Sequence, residues 1–295
     1  MRLVYLGTPE MAVPPLEAVV GAGHEVVLVV TGADKRRGRG RATSPSPVKA
    51  AARSLGLPVT DRTDDVLGVR ADLGVVVAFG RIIRPHVLQH LPMVNLHFSL
   101  LPRWRGAAPV ERAVLAGDDR TGVCVMDVEE TLDTGGVHAR AEIPLDDRIT
   151  AAELRAELVR LGSELLVDTL AAGVGDPVPQ AADGATYAEK LTPDDLRLRW
   201  ERPAVELHRI VRVGGAWTTF RGERFKVAAA DRLDPGTDAL PADVPPPGGL
   251  TGTLVGCGDG GALRLVAVQP QGRPVMDAAA WANGARPGPD DRFGP

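Results

Sequence analysis

Cysteine is scarce in this sequence, which has only two among its 295 residues, Cys124 and Cys257. They lie far apart and neither belongs to a C-x-x-C pair, so their spacing indicates neither a zinc site nor a disulfide framework. Cys124 stands in an apolar run and is expected to be a small buried side chain. Aromatic residues make up only 4% of the chain. We interpret that as background composition, because strand-like apolar runs recur throughout.

Long apolar runs and a strong charge of one sign are also missing. No stretch approaches the ~20 apolar residues of a membrane-spanning helix, and the apolar part of the N-terminus is too short for a signal peptide. We therefore expect a cytoplasmic protein that does not enter the membrane. The formal net charge is −4, which neither indicates nor excludes nucleic-acid binding, because local basic patches decide that question.

The first part of the chain alternates strand-like and helix-like segments. The strand-like segments are residues 3–6, 25–30, 72–79 and 94–98, and the helical ones are residues 11–20 and 48–55. Continuous apolar runs such as these strands are typical of strands covered on both faces. The βαβ order predicts the α/β class, with a Rossmann-like, doubly wound and mainly parallel sheet.

The pattern changes in the second part of the chain. Helices are predicted at residues 108–116, 151–171 and 207–213, and strands at 121–128, 137–144, 217–220, 224–229, 252–255 and 262–268. The last four strands are short and separated by turns, which predicts a small C-terminal β-barrel of the OB-like kind. Residues 173–185 form a Gly/Pro/Asp-rich connector. The expected domains are residues 1–185 and 203–295, joined by a linker at 186–202.

Dinucleotide binding is the first function to consider for such a sheet. The first turn reads Gly7-Thr8-Pro9-Glu10 and lacks the G-x-G-x-x-G spacing that lets the backbone approach a pyrophosphate. Pro9 also removes an amide donor. A dehydrogenase is therefore disfavoured, and Gly7 is interpreted as a plain strand-to-helix turn.

The strongest signal is the pair Asn95 and His97 in a strand-like segment. Residues two apart on a strand point to the same face, and these two stand near a strand end, where open α/β sheets bind ligands. Two polar side chains in an otherwise apolar strand are costly unless they are satisfied or used. They could be a hydrogen-bonded structural pair, but we favour a functional role.

Asp133, in the run Leu132-Asp133-Thr134-Gly135-Gly136, gains weight in combination with that pair. Acyl transfer to an amine develops a negative oxygen, to which the Asn95 amide and a protonated His97 could donate. His97 also suits the base that takes the amine's proton, and Asp133 could orient its ring. No Ser or Cys nucleophile is required, so direct transfer is favoured over an acyl-enzyme.

A metal site was considered at His86 and His90, which stand four residues apart. The zincin pattern needs Glu directly after the first histidine, and Val87 is there instead. No third ligand is obvious nearby. We therefore expect no metal in the site.

Residues 95–109 read NLHFSLLPRWRGAAP, and LDTG follows at residues 132–135. Together they closely resemble the folate-dependent formyltransferases, and the run N-x-H-x-S-L-L-P-x-x-x-G-x-x-P is highly specific. The resemblance extends over nearly the whole chain, including residues 7–10, 38–49 and 187–191. It implies a formyltransferase domain that binds folate, followed by a C-terminal domain that contacts tRNA.

The resemblance also implies roles for individual residues. The catalytic triad of the family matches Asn95, His97 and Asp133, and its folate-contacting loop matches Ser99, Leu100, Leu101 and Pro102. The expected donor is 10-formyltetrahydrofolate, with the pteridine ring near residues 77–79 and no metal in the chemistry. The expected acceptor is the amino group of initiator methionyl-tRNA, and the expected state is a monomer. Phe98 and Thr131 depart from the family pattern, which commonly has small residues there.

A basic cluster could select the tRNA acceptor. It consists of Lys35, Arg36, Arg37, Arg39 and Arg41. Such a run could be a solvated loop, or a clamp for a phosphate backbone, to which arginine is well suited. Two alternatives stay open at this point: a formyltransferase for an amino-sugar nucleotide or another small amine, and an RNA-binding module without catalysis.

Overall fold

The computed structural model describes residues 1–36, 43–237 and 240–294. They form two compact units. The first unit comprises Met1–Val110, Asp119–Leu145 and Glu153–Lys190, and the second comprises Glu111–Asp118, Asp146–Ala152 and Leu191–Pro295. The two short segments that belong to the second unit were not indicated by the sequence.

A seven-stranded sheet forms the centre of the first unit. The strands up to residue 190 are β1 (Arg2–Gly7), β2 (Glu25–Val30), β3 (Lys35–Arg36), β4 (Thr43–Ser44), β5 (Val59–Thr60), β6 (Leu73–Val77), β7 (Met93–His97), β8 (Arg105–Gly106), β9 (Arg120–Asp127), β10 (Val137–Pro144) and β11 (Tyr187–Ala188). The order in the sheet is β10-β9-β7-β6-β1-β2-β5. The five strands from β7 to β5 run parallel, whereas β9 and β10 are antiparallel to their neighbours. The predicted mainly parallel α/β sheet is confirmed.

Most of the helices begin and end close to the positions that their sequences predict, whereas those at residues 85–90 and 278–285 were not predicted. The helices are α1 (Val13–Gly21), α2 (Pro47–Ser54), α3 (Pro85–His90), α4 (Pro109–Ala116), α5 (Ala151–Ala171), α6 (Ala204–Val213) and α7 (Ala278–Ala285), with 3₁₀ turns at Glu10–Ala12 and Thr63–Gly68. Proline at the first helical position and the Ser46 cap, which accepts from the Lys49 amide at 3.0 Å, start α2. None of these helices, within the described ranges, has both the length and the apolar character to cross a bilayer.

The faces of β7 are distinguished by what covers them. Leu96 faces α5, where a Cβ on Gly162 would lie 3.0 Å from the Leu96 side chain. Met93 belongs to an aliphatic cluster on the other face, together with Val76 of β6. Because side chains alternate along a strand, Asn95 and His97 lie on the Met93 face, beyond this cluster toward the carboxyl end of β7.

An antiparallel sheet forms the second unit. Its strands are β12 (Trp217–Phe220), β13 (Glu223–Leu233), β14 (Leu250–Thr251), β15 (Leu254–Gly256), β16 (Ala262–Pro270) and β17 (Met276–Asp277). The order is β12-β13-β16-β15-β14, and β17 pairs with β16. Its interior holds an aromatic cluster, which consists of Trp200, Phe220, Phe225, Trp281 and Phe293. The predicted C-terminal β architecture is confirmed, as an antiparallel half-barrel.

Candidate active site

Asn95 and His97 lie side by side at the carboxyl end of β7. In the register, Asn95 pairs with Val76 of β6 and His97 pairs with Cys124 of β9. His97 is 5% exposed, whereas Asn95 is half-buried. Within the described ranges the Asn95 side chain has no hydrogen-bond partner, and its polar atoms are not sealed from solvent. Its amide is therefore a donor still available to a ligand.

The His97 ring is held by the backbone of the following loop. Its Nε2 atom lies 2.9 Å from the carbonyl oxygen of Trp104. A carbonyl can only accept, so Nε2 carries a hydrogen and donates it. In the neutral ring the lone pair is then on Nδ1, and this atom lies 3.7 Å from Oδ2 of Asp133. The free nitrogen of His97 thus faces a carboxylate.

Asp133 lies in a tight loop between β9 and β10. Its backbone is left-handed, with φ of +52°, a conformation that Asp tolerates better than most residues. Its Oδ2 atom accepts from the Gly106 amide at 2.7 Å. A Cβ on Gly135 would collide with the backbone carbonyl of Asp127, so only glycine lets the loop pass this close to β9. The loop therefore presents Asp133 toward His97 without a bulky neighbour.

The loop from Ser99 to Pro102 follows His97 directly. Ser99 is fully buried, and its hydroxyl donates to the Arg103 carbonyl at 2.6 Å. Leu101 is buried with residues of β9 and β10, and the Leu101–Pro102 peptide bond is cis. Leu100 and Pro102 remain half-buried. Of the four residues predicted to contact folate, these two keep side-chain surface within reach of a ligand.

The other predicted residues lie at different places. Lys35 and Arg36 form β3, which pairs with β4. Arg37, Arg39 and Arg41 lie outside the described residues. Residues 77–79 lie at the carboxyl end of β6, at the same edge of the sheet as His97, and the Phe79 carbonyl accepts from the Thr8 hydroxyl at 3.3 Å.

The histidines considered for a metal site have other surroundings. His86 pairs with Asp64 at 3.0 Å, between exposed side chains. Within the described part of the chain, no group of three or more His, Cys, Asp or Glu could hold a metal ion. His90 ends α3 and is exposed.

Sequence reasoning did not find several residues that contact this site. Gln180 donates to the carbonyls of Asp133 and Gly135, and Thr186 accepts from the Trp104 amide at 2.9 Å. Both lie in the stretch interpreted as connector and linker. No motif or periodicity pointed to them, and only the long-range fold brings them here.

The chemistry available at this edge is that of an amide donor, an imidazole and a carboxylate. Burial raises the pKa of the Cys124 thiol, and the buried Ser99 hydroxyl already donates to a backbone carbonyl. Neither is arranged as a nucleophile. The geometry thus favours transfer between two bound substrates, with proton movement through His97, over a covalent enzyme intermediate.

Comparison with known proteins agrees with this chemistry. The formyl transferase family model matches residues 1–170, and that of the formyl transferase C-terminal domain matches residues 190–286. The methionyl-tRNA formyltransferase of Thermobifida fusca is 44% identical, over 100% of this chain and 99% of its own. That of Roseobacter denitrificans is 42% identical, over 97% of this chain and 96% of its own.

Solved structures share the fold at low identity. An N-formyltransferase from Helicobacter canadensis, in complex with folinic acid and dTDP-3-aminofucose, has a TM-score of 0.68 at 15% identity, covering 91% of this chain and 98% of its own. HypX from Aquifex aeolicus, in complex with tetrahydrofolic acid, has a TM-score of 0.66 at 16% identity, covering 96% of this chain; this chain spans 47% of HypX. By its domain matches and its full-length relatives, the chain belongs to the formyl transferase family.

Proposed function

We propose that this chain transfers the formyl group of 10-formyltetrahydrofolate to the amino group of initiator methionyl-tRNA. The observation that carries the proposal is its similarity, from end to end, to relatives named methionyl-tRNA formyltransferases, at 44% and 42% identity. The sugar N-formyltransferase from Helicobacter canadensis is similar in fold at only 15% identity. The product, N-formylmethionyl-tRNA, would serve translation initiation.

The folate donor is proposed to bind at the carboxyl edge of β6 and β7. When bound, it supplies the carbonyl carbon that the amine attacks. The half-buried Leu100, Pro102 and Ala78 offer apolar surface for its ring, above the buried Val77 and Phe79. The buried Ser99 and Leu101 are proposed to fix the shape of the loop at residues 99–102 without contacting the folate ring. The open amide of Asn95 suits the oxygen of an uncharged acyl group such as formyl.

Asn95 is proposed as the donor to the formyl oxygen. Its side chain is unpartnered within the described residues and accessible to solvent. A donor held in place before the reaction stabilises the charge that develops on that oxygen at little reorganisation cost. The neighbouring strands β6 and β9 fix the backbone on both sides of Asn95.

His97 is proposed to receive the proton of the amine, with the help of Asp133. Because Nε2 donates to the Trp104 carbonyl, Nδ1 is the nitrogen that can accept the proton. The Asp133 carboxylate, 3.7 Å away, would then stabilise the positively charged ring. Distances of this kind often shorten once substrate is bound. As the bond between the formyl carbon and the folate nitrogen breaks, the ring would return the proton to that nitrogen, and the folate would leave as tetrahydrofolate.

The acceptor is proposed to be held by its phosphate backbone. Lys35, Arg36, Arg37, Arg39 and Arg41 would form the clamp, since several cations close together in the sequence can neutralise several phosphates. A small amine has little need of such a cluster. We further propose that the chain acts as a cytoplasmic monomer.

Formylation of charged initiator tRNA, charged elongator tRNA and free amino sugars, measured side by side, tests this function. We expect turnover with the charged initiator tRNA, and a steep fall in activity as salt rises, because the counterion release that favours binding becomes less favourable in a more concentrated salt solution. Equal turnover of a dTDP-amino sugar would assign the chain to small acceptors instead. Loss of all formylation, with RNA binding retained, would indicate a binding module.

A further inference from the structure

Residues 177–188 form a strap across two loops, the one that carries Asp133 and the one that follows His97 and contains Trp104. Val178 exchanges two backbone hydrogen bonds with Val137, at 2.8 and 2.9 Å. Ala188 lies opposite Gly106 in the pairing of β11 with β8. Between them, the Gln180 side chain reaches the Asp133 loop and Thr186 reaches the Trp104 loop. All of these residues belong to the first unit.

The Gln180 amide is fully engaged, and its orientation is fixed by Arg105. The guanidinium of Arg105 donates to Gln180 Oε1 through Nε at 3.0 Å and Nη2 at 2.7 Å. A guanidinium can only donate, so Oε1 must face it and Nε2 must face away. Nε2 then donates to the carbonyls of Asp133 at 2.9 Å and Gly135 at 2.8 Å. Both amide hydrogens are used on the backbone of one loop.

The first of these carbonyls, that of Asp133, belongs to the residue with the strained backbone. Asp133 has the left-handed φ of +52°, a conformation that persists in a non-glycine residue only when its surroundings hold it. Gln180 contacts the backbone of Asp133 and not its carboxylate. The carboxylate remains free to accept from the Gly106 amide and to face His97. Gln180 thus holds the backbone of the Asp133 loop through hydrogen bonds to the carbonyls of Asp133 and Gly135.

We propose that Gln180, oriented by Arg105, is a positioning residue that sets the distance between Asp133 and His97. This rests on the proposed function of Asp133 and names a residue outside the proposed triad. If the Asp133 backbone moves, the carboxylate loses its place beside the imidazole. A displacement of about 1 Å in a catalytic group can lower the rate by about 10²-fold.

The most direct test is Gln180→Glu. Glutamate keeps the length of the side chain and still accepts from Arg105, but it places an oxygen against the two carbonyls. We expect kcat to fall by about 10- to 100-fold, with KM for tRNA and for the folate donor little changed. The matched control is Gln89→Glu, the same change at an exposed position of α3, which should leave kcat unchanged. A loss confined to KM, or a wild-type kcat for Gln180→Glu, overturns the proposal.

A double-mutant cycle separates positioning from a general structural effect. If Gln180 acts through Asp133, Gln180→Glu should lower kcat in the wild-type background but add little in an Asp133→Asn background. The same fold-loss in both backgrounds contradicts the proposal. Asp133→Asn with wild-type kcat would instead contradict the proposed function, so the two failures are distinguishable.

Exchange of the Gly106 amide provides a readout that needs no turnover. This amide donates to Asp133 Oδ2 at 2.7 Å, so its hydrogen exchange reports whether the carboxylate is in place. We expect faster exchange at Gly106 in Gln180→Glu and in the apolar variant Gln180→Met, and no change in Gln89→Glu. Unchanged exchange in both Gln180 variants would show that the strap does not hold Asp133.

Discussion

The carboxyl edge of the first unit and the interior of the second unit use their side chains in opposite ways. In the first unit the cluster beside β7 is mostly aliphatic, and Asn95 and His97 lie beyond it at the carboxyl end of that strand. The second unit packs five aromatic rings against one another, with ring centroids such as those of Phe225 and Trp281 only 4.7 Å apart. The carboxyl edge of the first unit leaves polar atoms accessible to a ligand, whereas the interior of the second unit is filled with aromatic rings.

Buried polar groups make the contrast clearer. In the second unit Arg212 is 6% exposed and donates to the backbone carbonyls of Ile149 and Asp146, at 2.9 and 2.8 Å. His208 leaves its Nδ1 unpartnered among the described residues, and burial, with the nearby Arg212 and Arg232, lowers its pKa. His97, by comparison, has its free nitrogen facing a carboxylate. Both units contain buried polar groups, so burial alone does not identify a site. The difference is that the ring nitrogen of His97 without a hydrogen-bond partner faces a carboxylate, whereas that of His208 does not have a partner among the described residues.

The largest expected effect is the loss of turnover in His97→Ala. A general acid or base contributes about 10²- to 10⁴-fold to a rate, so we expect kcat/KM for formylation to fall by that factor, as measured from initial rates. His90→Ala is the matched control, since His90 is exposed at the end of α3. If His97→Ala retained its turnover, the carboxyl edge of the first unit would not be the catalytic region that the comparison takes it to be.

The second effect is on stability and belongs to the aromatic interior. Phe225 is 2% exposed and contacts Trp281 and Phe293. Phe225→Ala should lower the free energy of unfolding by about 3–5 kcal/mol, because it leaves a cavity among the rings. Val266→Ala, at a 44% exposed position of β16, is the control for denaturant titrations. A loss no larger than that of the control would show that the rings contribute little.

The smallest expected effect is on the dependence of protein stability on pH under acidic conditions. The Thr192 backbone amide, the Thr192 hydroxyl and then Arg112 lower the pKa of Asp195 to about 2. A carboxyl group whose pKa is lowered by folding stabilises the fold at pH values above its ordinary pKa of 3.8. This stabilisation is lost as the pH falls toward 2. In thermal melts, the melting temperature of Asp195→Asn should therefore fall less than that of the wild type between these pH values. Asp243→Asn, at an exposed position, should follow the wild-type curve.

Local patterns in the sequence predicted most of the elements. Helix α5 and strands β2, β10 and β12 have the predicted bounds, because their periodicity and flanking turns are strong. Helix α7 was missed, although Asp277 caps it by accepting from the Ala280 amide at 2.8 Å. It is a short helix in a Gly- and Pro-rich stretch, where a helical signal is weak.

The candidate site could be predicted only as far as its residues share a motif. The two-residue spacing predicted that Asn95 and His97 share a face, and the structure has both on the Met93 face of β7. Their catalytic roles, and that of Asp133, stay predictions. Gln180 could not be found, because its contact with Asp133 spans 47 residues and a connector has no periodicity that would indicate it. The grouping of 111–118 and 146–152 with the second unit is likewise a matter of long-range contacts.

The strap affects the order in which the site is completed during synthesis and the choice of fragments that contain a complete site. All three proposed catalytic side chains have been synthesised once the chain reaches residue 133, but Gln180 joins the Asp133 loop only 47 residues later. A fragment cut at residue 170, where the formyl transferase match ends, would contain every proposed catalytic group and still lack Gln180 and Thr186. Fusions and chimaeras that borrow this unit should therefore keep the chain through Lys190, the last residue of the unit.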